Sequence, residues 1–162
     1  MTVQKYHRAF GVYGIYAKDG KLLVILKNGG PYIHRYDLPG GSLEDGESLN
    51  EAMKREFLEE TGVEIVIEEN IGVTDFKLPW EWRGFTNVHH IAVYYSVRKV
   101  GGGIVVPEQF EGQDSLGAVW VSENEVSMEN ASPLVLKAFE WLRTGGLGEA
   151  VVYDEWEVLS GK

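Results

Sequence analysis

The 162-residue chain contains no cysteine, which excludes disulfide bonds and thiolate metal sites. No apolar run approaches the roughly 20 residues that a transmembrane helix needs, and the N-terminal residues 1–11 lack the apolar core of a secretory signal. Basic residues are few, since 15 Lys and Arg stand against 25 Asp and Glu and give a formal net charge of −10. This charge disfavours nonspecific binding to nucleic acid or to an anionic membrane. We therefore expect a cytoplasmic protein that binds neither.

The length and the ordinary apolar content predict a single domain over residues 1–162. Segments with β character and two well-signalled helices follow one another in mixed order, which predicts an α/β layered fold. Residues 145–162 form a C-terminal extension without an assigned role. Its β-prone sequence could pair between the subunits of a homodimer.

Hydrophobic patterning places the individual elements. Strands are predicted over residues 9–17, 21–26, 63–67, 71–76, 89–97 and 118–121, and the aromatic-rich residues 77–87 are predicted to form a loop. A second helix is expected to begin at Ser132-Pro133, because proline at the first helical position loses no hydrogen bond. Its apolar face is predicted to comprise Leu134, Leu136, Ala138, Trp141 and Leu142.

The stretch from Gly40 to Val63 organises the rest of the chain. It predicts a glycine loop followed by a helix over about Leu49–Glu60, introduced by a capping box of Ser48 and Glu51. Thr61-Gly62 supplies glycine where a helix often ends in a left-handed residue.

Three glutamates occupy unexpected positions on this helix. At about 100° per residue, Glu56 and Glu60 fall within the apolar face, and Glu59 lies at its edge. A half-buried carboxylate is costly unless a cation or a donor meets it. Mg²⁺ takes oxygen ligands and is often shared between carboxylates and substrate phosphates, so it would relieve both the burial and the mutual repulsion. The alternative is a solvated acidic helix with some glutamates on the apolar face by chance.

The wider spacing is more specific. Gly41, five residues, Glu47, seven residues, Arg55-Glu56-Phe57, one residue, Glu59-Glu60, one residue and Gly62-Val63 closely resemble the signature box of the Nudix (MutT-like) hydrolases. Leu38-Pro39-Gly40 also matches the way in which that box is introduced. Phe57 departs from the pattern, because the family usually has an aliphatic residue there, and we expect it to change packing under the helix.

The resemblance implies an α/β/α sandwich with a mixed parallel and antiparallel sheet between helices. It further implies metal ligation by the carbonyl of Gly40 or Gly41 and by Glu56, Glu59 and Glu60, with Glu111 or Glu108 as a further acid from a later loop. Glu56 and Glu59 are both candidates for the catalytic base. Arg55 belongs to the catalytic set as the group that holds Glu47 or another carboxylate of the box in place.

The implied reaction is hydrolysis of a phosphoanhydride bond, dependent on Mg²⁺ or alternatively Mn²⁺. The implied substrate is a nucleoside diphosphate linked to another group, such as a nucleoside triphosphate or ADP-ribose. Pro79 lies where a proline accompanies ADP-ribose substrates in the family, but Trp80 follows it instead of glycine. The alternative function is a nucleotide-binding sensor or regulatory module on the same fold without turnover.

Candidate substrate contacts outside the box are cations, histidines and aromatic rings. Arg35, Trp80 and Arg83 are the predicted substrate-binding residues, with His34, His89 and His90 as further candidates and Trp82, Phe76 and Phe85 as further rings that could stack on a base. Loop packing or a dimer contact is the alternative for the rings.

Overall fold

A computed structural model describes residues 3–161 of the chain. The strands are β1 (Tyr6–Ile15), β2 (Ala17–Lys18), β3 (Lys21–Lys27), β4 (Tyr36–Asp37), β5 (Gly40–Gly41), β6 (Val63–Trp82), β7 (Phe85–Gly102), β8 (Ser115–Ser122) and β9 (Val151–Val152). The helices are α1 (Leu49–Thr61) and α2 (Pro133–Thr144), with a short 3₁₀ turn at Glu123–Glu125. Within residues 3–161 no helix is long and apolar enough to cross a membrane.

The strands form two sheets of mixed direction. The larger has the order β5-β1-β7-β6-β9, in which β1 runs parallel to β7 and β6 runs antiparallel to β7. In the smaller sheet β3 pairs with β2, β4 and β8, all antiparallel. The turn between β2 and β3 has positive φ at Asp19 and Gly20, as a two-residue hairpin turn requires.

The core consists of two clusters on opposite sides of these strands. Met53 and Phe57 of α1 pack with Val12 and Leu23, whereas Leu134 of α2 packs in the other cluster with residues such as Tyr13, Leu22 and Val24. Neighbouring residues of one strand thus face different helices, because side chains alternate along a strand. This arrangement confirms the predicted α/β/α sandwich with a mixed sheet.

Helix α1 begins and ends as its sequence predicts. The Ser48 hydroxyl accepts the Glu51 N–H at 3.1 Å, and the Glu51 carboxylate accepts the Ser48 N–H at 3.4 Å. Gly62 closes the helix in the left-handed conformation, with φ of 85°.

The prediction of two strands and a loop over residues 63–87 is wrong. These residues form β6 and the start of β7, joined by a two-residue turn at Arg83-Gly84 with positive φ at both positions. Irregular pairing near Glu68 and Ile71 interrupts the alternation that would have identified one continuous strand.

The predicted apolar face of α2 is only partly correct. Leu134 and Ala138 are buried, but Leu142 is 41% exposed, and Val135 and Phe139 occupy the face instead. The C-terminal extension forms the short strand β9, which pairs with β6 of the same chain. Its β-prone residues therefore have a partner within the chain.

Candidate metal and phosphate site

Glu60 lies at the base of a cleft beside α1 and is only 1% exposed. One carboxylate oxygen, Oε1, accepts the backbone N–H of Gly40 at 2.7 Å. The other, Oε2, is buried without a hydrogen-bond partner among the described residues. Burial raises the pKa of Glu60 well above its ordinary value. A buried carboxylate oxygen without a donor is costly, and a cation in the cleft would satisfy it.

The glycine loop lies close to the acids of α1. At Gly40 the φ of 151° and the close approach of Val12 O to where a Cβ would lie both require glycine. At Gly41 a Cβ would lie 3.1 Å from the Glu56 carboxylate. The second glycine therefore leaves room for the Glu56 carboxylate against the strand.

Arg55 joins the acids of the loop and the helix. Its Nε and Nη2 donate to the two carboxylate oxygens of Glu47 at 2.7 and 2.8 Å, and its Nη1 donates to Glu56 Oε1 at 3.0 Å and to Glu59 Oε2 at 3.3 Å. The hydrogen bonds from Arg55 lower the pKa of Glu47 to about 2. For Glu56 burial outweighs Arg55, and the pKa is raised. The two-pronged contact with Glu47 has the geometry that the sequence predicts for Arg55.

Arg55 and the three acids of α1 line a cleft of about 280 Å³. Glu56, Glu59, Glu60 and Arg55 lie on one side, and Glu111 belongs to the loop that forms the other. This loop is fastened to the end of α1, since the hydroxyl of Ser115 donates to Glu60 O at 2.9 Å. Glu108, the second candidate for the additional acid, does not line the cleft.

The carboxylate oxygens of the cleft are ligands that fit a hard divalent cation, although Arg55 and Gly40 engage some of them. Within residues 3–161 no three His, Asp or Glu side chains already converge in a metal-binding arrangement. Arg55 contacts both Glu56 and Glu59, and one oxygen of Glu60 is engaged by Gly40. Carboxylate oxygens at a narrow cleft, one of them without a donor, are nevertheless the ligands that Mg²⁺ prefers.

A second pocket, of about 230 Å³, adjoins this cleft, because Asp114 lines both. Its lining includes four large aromatic side chains, those of Trp80, Trp82, Tyr13 and Tyr32, together with the charged residues Lys27, Asp37 and Asp114. The rings of Trp80 and Trp82 are stacked, with centroids 5.6 Å apart and planes at 10°. The pocket therefore offers flat apolar surfaces next to a polar cleft.

His90 lies at the buried end of the aromatic pocket between two tyrosines. Its Nε2 lies 2.8 Å from the Tyr13 hydroxyl and its Nδ1 lies 2.9 Å from the Tyr32 hydroxyl. Burial, together with the nearby charge of Lys27, lowers the pKa of His90 to about 3. The ring is therefore neutral near pH 7, with one nitrogen that donates and one that accepts.

Lys27 is a cation of the aromatic pocket, beside Asp114, that sequence reasoning missed. Its Nζ lies 3.5 Å from Asp114 Oδ2 and 4.0 Å from Asp37 Oδ2. Burial alone would lower the pKa of Lys27, but Asp37, Asp114 and Glu60 outweigh it and raise the pKa, so the ammonium stays charged. The only sequence signal was a lysine directly after the apolar residues 22–26 of β3.

Several predicted substrate contacts lie elsewhere. Arg35 is 3% exposed and donates to the carbonyls of Met128, Ala131 and Glu157, and it lines neither the cleft nor the aromatic pocket. Arg83 lies at the exposed turn of the β6–β7 hairpin, over the Trp82 ring, and does not line the aromatic pocket.

Some of the remaining predicted rings and histidines line the aromatic pocket, and others lie outside it. Phe76 is fully buried in the core and cannot stack on a ligand. Phe85 packs beside Trp82, His89 contacts Asp75 at 2.6 Å, and His34 also lies outside the pocket. Of the predicted rings and histidines, the pocket brings together Trp80, Trp82 and His90.

Comparisons with known proteins agree with this geometry. A family model described as NUDIX domain matches residues 5–143. A Methanocaldococcus jannaschii protein named ADP-ribose pyrophosphatase is 42% identical over 67 residues, which cover 41% of this chain and 40% of that protein. The match thus spans less than half the length of that relative.

Two further proteins extend the similarity. A Bacillus subtilis protein, provisionally named an 8-oxo-dGTP diphosphatase, is 28% identical over 73% of this chain and 69% of its own length. The crystal structure of a MutT NUDIX hydrolase from Burkholderia pseudomallei has a TM-score of 0.63 and 22% identity, covering 83% of this chain and 97% of that one.

Proposed function

The chain belongs to the Nudix family, and from this premise we propose that it hydrolyses a phosphoanhydride bond in a nucleoside diphosphate derivative, with Mg²⁺ as cofactor. The observation that carries this proposal is the junction of the acidic cleft and the aromatic pocket at Asp114. A nucleotide has the same two parts, an anionic diphosphate and a flat base. The cleft would hold the diphosphate and the pocket would hold the base.

In this assignment the acidic side chains of α1 bind the cation and accept the proton of the attacking water. Glu56, Glu59 and Glu60 are the proposed metal ligands, with the carbonyl of Gly40 or Gly41 and with Glu111 as further candidates. When bound, the cation would neutralise phosphate charge and lower the pKa of a coordinated water. Glu56 or Glu59 would accept the proton of the attacking water.

Other residues position the substrate. Arg55 holds the loop carboxylate of Glu47 against the helix and so fixes the neighbouring acids. Lys27, at the junction of the two pockets, is the proposed contact to a phosphate oxygen. Trp80 offers its ring to the base, since aromatic faces stack on any nucleobase. Little covalent work falls to the protein, because positioning and electrostatics dominate phosphoryl transfer.

Two substrate classes are consistent with the aromatic pocket. The named relatives act, by their names, on ADP-ribose and on 8-oxo-dGTP. Both contain a purine attached to a phosphoanhydride. We propose a purine nucleotide of this type as the substrate.

The test is product release from a panel of nucleoside triphosphates, ADP-ribose and dinucleoside polyphosphates, with Mg²⁺ and with EDTA. Glu56→Gln and Glu60→Gln should each reduce Mg²⁺-dependent turnover by about 10²-fold or more without unfolding the protein. Glu68→Gln, which alters an exposed acid of β6 outside the cleft, is the matched control.

Two results would contradict the proposal. Full activity in either cleft variant would remove these acids from the site. Nucleotide binding without turnover of any substrate in the panel would instead favour the sensor alternative.

A further inference from the structure

The C-terminal extension follows the region that matches the family, which ends at residue 143. Strand β9 pairs in parallel with β6, with Val151 opposite Phe76 and Val152 opposite Lys77. The next residue, Tyr153, donates its backbone N–H to Lys77 O at 2.8 Å. The extension thus lies along β6, the strand that carries Trp80 of the aromatic pocket.

Trp156 makes the central contact of the extension. Its Nε1 donates to Pro31 O at 2.8 Å, and its ring meets Tyr32 edge-on with centroids 5.6 Å apart. Pro31 and Tyr32 both line the aromatic pocket. Trp156 therefore supports this part of the pocket wall from behind, without lining the pocket itself.

Arg35 fastens the extension in this position. Its guanidinium lies 4.4 Å from the centroid of the Trp156 ring, and its Nη2 donates to Glu157 O at 2.7 Å. The same guanidinium also donates to Ala131 O, in the segment before α2. A largely buried arginine thus holds the extension to the body of the domain.

Tyr32 connects Trp156 to His90, at the buried end of the aromatic pocket. Tyr32 stacks on His90 with centroids 5.6 Å apart, and its hydroxyl bonds to His90 Nδ1. The neutral imidazole has one donor and one acceptor, so the hydroxyls of Tyr32 and Tyr13 must take opposite roles toward it. The Tyr32 hydroxyl is therefore part of a hydrogen-bonded group with His90 and Tyr13 that lines the pocket.

We propose that residues 151–159 form a positioning element for the base-binding pocket, in which Trp156 holds Tyr32 and thereby sets the affinity for the base of the substrate. This inference rests on the proposed function, because it assigns the base to the aromatic pocket. Trp156 is a positioning residue that acts through Tyr32. The acids of the cleft lie outside its contacts, so its loss should affect binding more than turnover.

The experiment compares Trp156→Ala, Trp156→Phe and the control Glu155→Ala, an exposed residue of the same segment. Trp156→Ala should raise KM about tenfold and change kcat by less than about threefold, the pattern expected when binding common to ground and transition states is lost. Trp156→Phe keeps a ring against Tyr32 and should restore most of the affinity, while Glu155→Ala should match the unaltered protein.

A second readout does not depend on catalysis. Calorimetric titration with ADP in EDTA should show a Kd about tenfold weaker for Trp156→Ala than for the unaltered protein. Thermal unfolding of each variant identifies a purely structural role, which would lower Tm but leave the KM and the Kd of the folded protein unchanged. That result would overturn the inference.

The outcomes separate this inference from the proposed function. If the unaltered protein turns over a nucleotide and Trp156→Ala has the same KM and Kd, only the inference fails. If the unaltered protein binds ADP without turning over any substrate, the proposed function fails and the Kd of Trp156→Ala decides the inference. If it neither binds ADP nor turns over a nucleotide, both fail.

Discussion

His90 shows how the fold controls the charge of a single side chain. It is buried between Tyr13 and Tyr32, and its pKa is lowered to about 3 from an unfolded value of about 6.5. The unfolded chain therefore binds the proton more readily than the native protein between these two values. The contribution of His90 to stability is complete above about pH 6.5 and is lost as the pH falls toward 3.

We predict that this histidine lowers the free energy of unfolding by up to about 1.4 kcal/mol per pH unit below pH 6. Urea unfolding at pH 7, 6 and 5 measures the effect. Asp37, Glu56 and Glu60 have raised pKa values and act in the opposite direction. His90→Gln, which cannot titrate but keeps a donor and an acceptor, supplies the baseline. Equal pH slopes for both proteins would contradict the assigned pKa.

At the residue scale, the sequence predicts contacts between residues that are close to one another in the chain. Glu56, Glu59 and Glu60 share one helix, and Arg55 contacts Glu47 eight positions away, so helical geometry and the motif are sufficient. Lys27 and Asp114 lie on distant segments that only the sheet brings together. Arg35 was assigned to the substrate because nothing local shows that an arginine is engaged by distant carbonyls.

Helix α1 packs a large side chain against a glycine of strand β1. Phe57, the departure from the family pattern, is fully buried, and a Cβ at Gly14 of β1 would lie 2.8 Å from its ring. The absence of a side chain at Gly14 thus makes room for the larger residue.

We predict that Gly14→Ala destabilises the protein by about 1–3 kcal/mol through overpacking, whereas Phe57→Leu destabilises it by leaving a cavity. In the double variant the added methyl group would enter the space vacated by the ring. Its destabilisation should therefore be smaller than the two single effects added together. Chemical denaturation of the four proteins gives the coupling, and strict additivity would show that the residues do not share this space.

The elements differ in how well they could be predicted. Helix α1 was predicted to within one residue because its cap, its apolar spacing and its terminal glycine are all local signals. The β6–β7 hairpin could not be predicted from the sequence, because bulges interrupt the alternation of β6 and the aromatic-rich residues 77–87 resemble a loop. The Arg83-Gly84 turn that joins its strands gives no clear signal, because aromatic residues surround it.

The net charge of −10 affects the molecule as a whole. A bound divalent cation would remove repulsion among the acids of the cleft in the folded state. Mass action then stabilises the native protein in proportion to the logarithm of the free metal concentration. Metal binding should therefore be measurable without any substrate.

We predict that Mg²⁺ at about 100 times its Kd raises the free energy of unfolding by about 2.7 kcal/mol, and Tm by several degrees. EDTA should reverse the shift, and NaCl at equal ionic strength controls for general screening of charge. Glu60→Gln should lose most of the shift. An equal shift in this variant would place the cation elsewhere.

The α/β/α architecture followed from the motif and is confirmed, whereas the assembly and the location of the protein stay predictions. A homodimer through the extension loses its main argument, because β9 already pairs with β6. The role of the extension could not be predicted from sequence. It depends on Trp156 meeting Pro31, a residue 125 positions earlier in the chain.

The parallel ladder between β1 and β7 has a consequence for the order of events during synthesis. The two strands pair along ten successive residues, from Tyr6 opposite Asn87 to Ile15 opposite Ser96, although roughly eighty positions separate them. A nascent chain that has left the ribosome only as far as α1 therefore exposes β1 without β7, with only the two-residue strand β5 to pair with it. The centre of the larger sheet can close only after β7 emerges, so shortened chains that stop before it should remain unfolded and be open to proteolysis.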